Sequence, residues 1–313
     1  MGHRMTDGIT FLFPGQGAQS PGFLHALPPH PAITDTLEKA CDALDASLEE
    51  VDTPNALHST VNVQLATLIA GVAATRALIA EGVFPSAVAG LSIGSYAAAV
   101  ACGTLAFPDA LRLAKLRAVY MERAYPHGYG MAAITGLTER HVARLIRPID
   151  EAYIANINAP TQLVIGGNDT ALDTAMAAAR QAGARTARRL DVAVPSHGIL
   201  LQDAAAQLMK AFDGVKLQPP RIPYMGNRGG RALHTADAIR DDLATNLAYP
   251  VRWHDATCVL YELGTRLFLE LPPGHTLTDL AREAFPDAHT LAMENQSPEA
   301  VARVLMERQG TGV

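Results

Sequence analysis

Apolar positions along the chain already sketch an order of elements. Phe11-Leu-Phe13 is a short apolar run ending at Pro14-Gly-Gln-Gly17, the pattern of a buried strand opening into a loop. Between Thr34 and Leu48 apolar residues recur at helical spacing among acids, which predicts a helix with Thr34 as its cap. Val61 to Glu81 is apolar nearly all round and predicts a central helix. After Pro85, Ala87-Val-Ala-Gly-Leu91 predicts a strand running into Ser92, and the small residues from Tyr96 to Cys102 predict a helix. Strand, tight turn and helix in that order are the organisation of a parallel α/β sheet.

From about Gly128 the texture changes. The pattern predicts strands at Met131–Gly136, Ala152–Ile157, Gln162–Ile165 and Thr186–Val194, with helices at Thr138–Ile146 and Ala171–Gly183. The order βαββαβ is that of the ferredoxin-like split unit. The expected fold is therefore α/β: a large α/β-hydrolase-like domain with a parallel sheet, residues 6–127 and 198–313, and an inserted small ferredoxin-like α+β domain, residues 128–197. A helix around Leu200–Phe212, a Pro-rich connection at Pro219–Pro223 and further strand–helix units complete the large domain.

Composition narrows the function. The 313 residues are 49% hydrophobic and 18% charged, with only 5% aromatic and one tryptophan, so small side chains must fill the core. That length suffices for one large domain and a smaller one. A net charge of −6 removes the electrostatic case for nucleic acid. Cys41, Cys102 and Cys258 lie far apart without a CxxC pair, which fits a reducing cytoplasm rather than a disulfide scaffold. The first ten residues lack the apolar core of a secretory signal, and Met5 is a candidate natural start. The longest apolar run, Leu65–Ala80, contains Arg76 and reads as a buried helix, not a membrane span.

Gly90-Leu-Ser92-Ile-Gly94 matches the G-x-S-x-G elbow, in which a strained strand-to-helix turn lifts a serine hydroxyl above the sheet. The glycines are needed because side chains would clash there, and the helix N-terminus supplies N–H groups for an oxyanion. A serine needs a base to become a nucleophile. Of 11 histidines, His197 in Val192-Ala-Val-Pro-Ser-His197 falls between a predicted strand and a predicted helix. A hydrolase-type triad would instead draw on His254, His275 or His289 with Asp237, Asp241 or Asp242, and no local pattern singles out a pair. Pro14-Gly-Gln-Gly-Ala-Gln19 places flexible backbone at a strand end, where ligands of α/β sheets gather. Arg117, in an amphipathic stretch with Arg112, Tyr120 and Met121, is either a solvated helix residue or a fork for a carboxylate. HExxH and paired-Cys spacings are absent, so no metal or bound organic cofactor is expected.

Taken together, FPGQGAQ, GLSIGS at 90–95, Arg117 with Met121, GMAAI at 130–134, NAPTQLVIGG at 158–167, VPSH at 194–197 and NLAYPVRW at 246–253 resemble the malonyl-CoA:acyl carrier protein transacylases. Within that family STVNVQLATLIAGVAATRAL, AYPHGYGMAAI, VRWHDAT and LELPPGHTLTDLA look most like the transacylase (epsilon) subunit of malonate decarboxylase. Leu91 stands where the usual elbow has histidine, Pro272-Pro-Gly274 replaces the usual GPG, and Asn246 replaces the usual glutamine.

The resemblance implies ping-pong transfer of malonyl from malonyl-CoA to a carrier-protein thiol. Ser92 would be the nucleophile and His197 its base, with the oxyanion held by the backbone N–H groups of Gln16 and Ile93. The Asn246 carbonyl would orient His197, Arg117 would face the malonyl carboxylate, and Met121 would line the pocket. The implied partners are an acyl carrier protein, a CoA thioester and the other malonate decarboxylase subunits, with neither nucleic acid nor membrane. The acceptor thiol would belong to a dephospho-CoA-derived group on the carrier. Arg180, Arg185, Arg188 and Arg189 form the densest basic cluster and are the candidate docking face for an acidic carrier.

Overall fold

The computed structural model describes residues 8–192 and 194–310, so Met5 lies outside the described residues. The chain begins β1 (Ile9–Phe13), α1 (Pro31–Leu44), α2 (Leu48–Asp52), α3 (Thr60–Ala80), β2 (Ala87–Gly90), α4 (Gly94–Ala101) and α5 (Phe107–Ala124). The middle runs β3 (Tyr129–Thr135), α6 (Glu139–Ile146), β4 (Tyr153–Ala159), β5 (Gln162–Asn168), α7 (Asp169–Gln181) and β6 (Thr186–Arg189). It continues with α8 (Gln202–Ala211), β7 (Tyr224–Met225), β8 (Ala232–Leu233), α9 (Ala236–Thr245), α10 (Trp253–Glu262), β9 (Leu267–Glu270), α11 (Thr276–Ala284), β10 (His289–Ala292) and α12 (Pro298–Gly310).

Two sheets result. The larger has the order β10-β9-β1-β2-β7-β8, with every pairing parallel except β7–β8. Strand β1 is buried on both faces, as central parallel strands are. Ile9, Phe11 and Phe13 enter one core with Leu68, Ile69 and Leu113. Leu12, pointing the other way, enters a second core with Trp253, Leu260, Phe268 and Leu277. The chain leaves β1 toward β2 and β7, then returns to β9 on its other side, which makes β1 the switch point of the sheet. Phe13 is in register with Gly90 and Leu12 with Glu270, so the loops after β1, β2 and β9 emerge at one edge. In α/β sheets that carboxyl edge is where ligands bind.

The smaller sheet, β4-β5-β3-β6, is antiparallel throughout. Ala132 and Ile134 of β3 pack with Val142 and Ile146 of α6 and Leu172 and Met176 of α7. Its opposite face carries Met131, Ala155 and Val164, with Tyr153 alongside. The loop before α10 binds the sheet's outer strand: Val251 donates to the Ala155 carbonyl at 2.8 Å and accepts from the Ile157 N–H at 2.9 Å.

Two local expectations change. The cap of α1 is His30, whose Nδ1 accepts from the Ala32 N–H at 3.1 Å, and not Thr34, which lies inside the helix. Pro31 at the first helical position marks that start. The strand expected over Thr186–Val194 ends at Arg189, because after Leu190 donates to Met131 the chain leaves the ladder. Helix α3 alone among the described residues is long and apolar enough to cross a membrane, but 83% of its most apolar window is buried in the protein.

Candidate active site

Ser92 sits in the turn from β2 into α4 at φ +54°, the left-handed region that L residues avoid. The flanking glycines explain how the turn closes. A Cβ on Gly90 would lie 2.2 Å from the Gly94 carbonyl carbon, and one on Gly94 would lie 2.2 Å from the Phe13 carbonyl oxygen. The loop after β1 presses on the same turn, since a Cβ on Gly15 would meet Leu91 Cδ2 at 2.8 Å. Leu91 thus packs its apolar side chain under the FPGQGAQ loop. Among the described residues no group accepts a hydrogen bond from the backbone N–H of Gln16 or Ile93.

His197 reaches Ser92 from a stretch without regular structure, with φ +65°. Its Nε2 lies 2.7 Å from Ser92 Oγ and its Nδ1 lies 2.8 Å from the Asn246 carbonyl oxygen. A carbonyl only accepts, so Nδ1 carries the proton and Nε2 offers its lone pair to the serine hydroxyl. The His197 N–H donates to the Leu247 carbonyl at 2.8 Å. The Tyr153 hydroxyl, from β4, donates to the Pro195 carbonyl at 2.5 Å. Among the described residues no carboxylate bonds to His197.

Arg117 comes from α5 and is 1% exposed. Its Nη2 donates to Ser92 Oγ at 3.1 Å and to Asn246 Oδ1 at 3.4 Å, and its Nη1 to Gln64 Oε1 at 2.6 Å. Gln64 Nε2 in turn lies 3.6 Å from Met121 Sδ. Arg117 Nε is buried without a partner. Burial pulls the guanidinium down to about 10, so it keeps its charge at neutral pH. Burial, and then the Arg117 charge, hold His197 at about 3 against the opposing pull of main-chain groups at Asn246 and Tyr249. The imidazole is therefore neutral, as a base must be. One hydroxyl thus donates to a neutral imidazole and accepts from a buried cation, which suits attack on an acyl group that carries its own negative charge.

The hydrolase-type candidates lie elsewhere. His254 contacts Cys258 Sγ at 3.6 Å, His275 pairs with Asp279 at 2.8 Å, and His289 contacts Arg308 at 2.8 Å. Asp237 and Asp241 face Arg240 and Arg228. Asp242 is buried and accepts from the N–H groups of Asn227 and Arg228. Arg112 is a surface residue beside Asp109. In the basic cluster Arg189 pairs with Asp169 at 2.6 Å and Arg180 donates to the Ala187 carbonyl, while Arg185 and Arg188 are exposed. His30, Glu81 and Glu299 could hold a metal by proximity. However, His30 Nδ1 accepts from Ala32, which leaves the proton on Nε2 facing Glu81.

Sequence reasoning missed Gln64, Asn227 and Tyr153, and it had Asp242 only as a candidate triad acid, not as the residue that holds Asn227. Gln64 had a signal, as a lone amide on an otherwise apolar buried helix. The others act across large sequence separations and carry no local pattern.

Residues 10–311 match the family described as acyl transferase domain. The chain is 34% identical over 303 residues to the malonyl CoA-acyl carrier protein transacylase of Escherichia coli K12, covering 94% of this chain and 98% of that protein. Its structure superposes on the malonyl CoA-acyl carrier protein transacylase of Coxiella burnetii with TM-score 0.89 and 31% identity, over 98% of each chain. It also matches a malonyl-transacylase solved in complex with its type II polyketide acyl-carrier protein, with TM-score 0.88 and 32% identity, over 96% of this chain and 100% of that one.

Proposed function

Because the chain belongs to the malonyl-CoA:acyl carrier protein transacylase family, we propose that it moves malonyl from malonyl-CoA to the thiol of an acyl carrier protein through an ester on Ser92. His197 takes the serine proton as Oγ attacks the thioester carbonyl. The backbone N–H groups of Gln16 and Ile93 hold the tetrahedral oxyanion, each contributing about 3–4 kcal/mol. The CoA sulfur leaves with the proton from His197. The carrier thiol then gives its proton to His197, attacks the ester and restores the Ser92 hydroxyl. Asn246 orients the imidazole through its carbonyl, and no carboxylate is required because a thioester is a more reactive acyl donor than an amide.

Arg117 makes the reaction specific for malonyl. The observation that carries the reading is this buried guanidinium, which shares Ser92 Oγ with His197 and has an unpaired Nε. Nε and Nη2 form one edge of the fork, the geometry that binds a carboxylate with two parallel bonds. An acetyl group leaves the buried charge without a counter-ion and Nε without a partner, at a cost of roughly 3–5 kcal/mol in a desolvated site. Since the Arg117 charge depresses His197, a carboxylate that neutralises it also makes His197 a stronger base. Met121 closes the pocket wall beside Gln64.

The inserted unit spans residues 128–197 and the body residues 6–127 and 198–313, and both thiols reach Ser92 in turn. The unpaired cysteines suit a cytoplasmic enzyme. The acceptor is assigned to the carrier subunit of a malonate decarboxylase, with that enzyme's other subunits as partners, on the branch-level segments and on Leu91. A carrier of fatty-acid or polyketide synthesis is the alternative, and transfer from the malonylated enzyme to each type of carrier separates the two. A catalytically silent carrier-binding subunit would have no use for Ser92, His197 and Arg117 at one point. The exposed Arg185 and Arg188, with Arg189, form the carrier's docking face; charge reversal of Arg188 and Arg189 that left the carrier KM unchanged would remove that assignment.

Labelled malonyl-CoA tests the chemistry. The label should map to Ser92 and be absent from Ser92→Ala; equal label in both would exclude the acyl-enzyme route.

A further inference from the structure

The transfer scheme leaves one buried group beside the nucleophile unused. Strands β2 and β7 pair only at Val88–Tyr224 and Ala89–Met225. Past that point the Asn227 side chain takes over. Its Nδ2 donates to the Gly90 carbonyl at 2.7 Å and its Oδ1 accepts from the Ser92 N–H at 2.8 Å. A carboxamide presents the same donor and acceptor as a peptide group, so the side chain adds one rung to the ladder across the elbow. On the other side the Leu91 N–H donates to the Phe13 carbonyl at 2.9 Å. Asn227 is itself fixed, because Asp242 accepts from the N–H groups of Asn227 at 3.2 Å and Arg228 at 3.1 Å and from the Tyr224 hydroxyl at 3.2 Å. Both Asn227 and Asp242 are 4% exposed. Burying a carboxylate destabilises the fold unless it holds something in return.

We infer that Asn227, held by Asp242, is a positioning residue for the nucleophile. By occupying the Ser92 N–H it fixes the left-handed backbone at Ser92 and leaves the next N–H, that of Ile93, as the elbow's unpaired donor. The inference rests on the acyl-serine reading for its role in malonyl transfer, but it concerns the reactivity of Ser92 toward any acyl-like electrophile.

Two single-turnover rates test it: malonylation of Ser92 by malonyl-CoA, and phosphonylation of Ser92 by a fluorophosphonate. Asn227→Asp replaces the donor to Gly90 by a second oxygen at constant shape. Both rates should fall about 100-fold, as for an ångström-scale misplacement of a reacting group. The KM for malonyl-CoA should stay within about twofold, since ground-state contacts are untouched. A purely structural role would instead lower activity in proportion to the folded fraction, so wild-type rates per folded molecule would overturn the inference. Asn227→Ser, smaller and uncharged, should show the same loss if Asn227→Asp does not fold. Asp242→Asn points a donor at the backbone N–H groups and should lose about tenfold; wild-type rates there would remove Asp242 from the proposal. If the wild type takes the fluorophosphonate but no malonyl, the proposed function fails, and the phosphonylation rates of the variants still decide the role of Asn227.

Discussion

Ser92 and His197 are both non-glycine residues with positive φ, 54° and 65°, yet they are held in opposite ways. Ser92 is shaped first by its own strand, turn and helix, which cross the end of β1 so closely that only glycine fits at 90 and 94, and Asn227 adds one bond to its N–H. His197 has no regular element of its own. It is suspended from Leu247 and Asn246, between α9 and α10, and, through Pro195, from Tyr153 of the small sheet. Ser92 is thus set mainly by its own turn and locked by one distant side chain, while the proposed base is wholly a product of the assembled protein. Residues with strained backbones persist where the surroundings over-determine them, and here the two sources of that constraint are different.

That contrast can be broken most severely at the elbow. Gly94→Ala places a methyl 2.2 Å from the Phe13 carbonyl oxygen, main chain that cannot rotate away. We expect a loss of about 3 kcal/mol or more in urea unfolding, together with loss of acylation. A variant that kept both within error would show that the crossing is not tight.

Acidification separates the two regions by sign. In the folded protein His197 sits at about 3, below its ordinary 6.5, so the unfolded chain binds a proton that the native state refuses. Its contribution to stability is complete above pH 6.5 and is lost as pH falls, at about 1.4 kcal/mol per unit. Asp242, behind the elbow, is pushed by burial from 3.8 to about 6, so its contribution increases as pH falls from 6 to 3.8. The two slopes oppose each other between about pH 4 and 6. Relative to wild type, His197→Gln should gain stability over that range and Asp242→Asn should lose it, each by up to about 3 kcal/mol in urea unfolding. Parallel curves for all three proteins would contradict the assignments.

A smaller effect is expected from Tyr153→Phe, which keeps the ring that packs against Gly198 and removes the hydroxyl on Pro195. It should cost about 1 kcal/mol in stability. It should also lower kcat about tenfold at constant KM, because it shifts the base and not the binding pocket. Unchanged kcat would mean that Asn246 and Leu247 suffice to place His197.

The same contrast explains what was legible in the sequence. G-x-S-x-G is a local constraint, so it shows as a local pattern, and the strand before it and helix after it are where periodicity puts them. The βαββαβ order of the small sheet is legible for the same reason. The bond from His197 to the Asn246 carbonyl spans 49 residues, and main-chain carbonyls carry no sequence signature. It was available only through family resemblance. Asn227 lies 135 residues from Ser92 and Gln64 lies 53 from Arg117, so each reads as an ordinary amide until the chain folds. The cap of α1 was misread because Thr34 is a good capping type, while His30 caps through a ring nitrogen and is betrayed only by Pro31 after it.

At the centre of the account stands one hydroxyl shared by a neutral base and a buried cation. The most direct test is a competition: wild-type protein and Arg117→Ala are each mixed with equal malonyl-CoA and acetyl-CoA, and the adduct on Ser92 is weighed by mass spectrometry. Wild type should carry malonyl over acetyl by at least about 100-fold, the ratio that roughly 3 kcal/mol implies. Arg117→Ala should lose that preference while still taking acetyl. Equal malonyl and acetyl on the wild type, or an unchanged preference in Arg117→Ala, would contradict it.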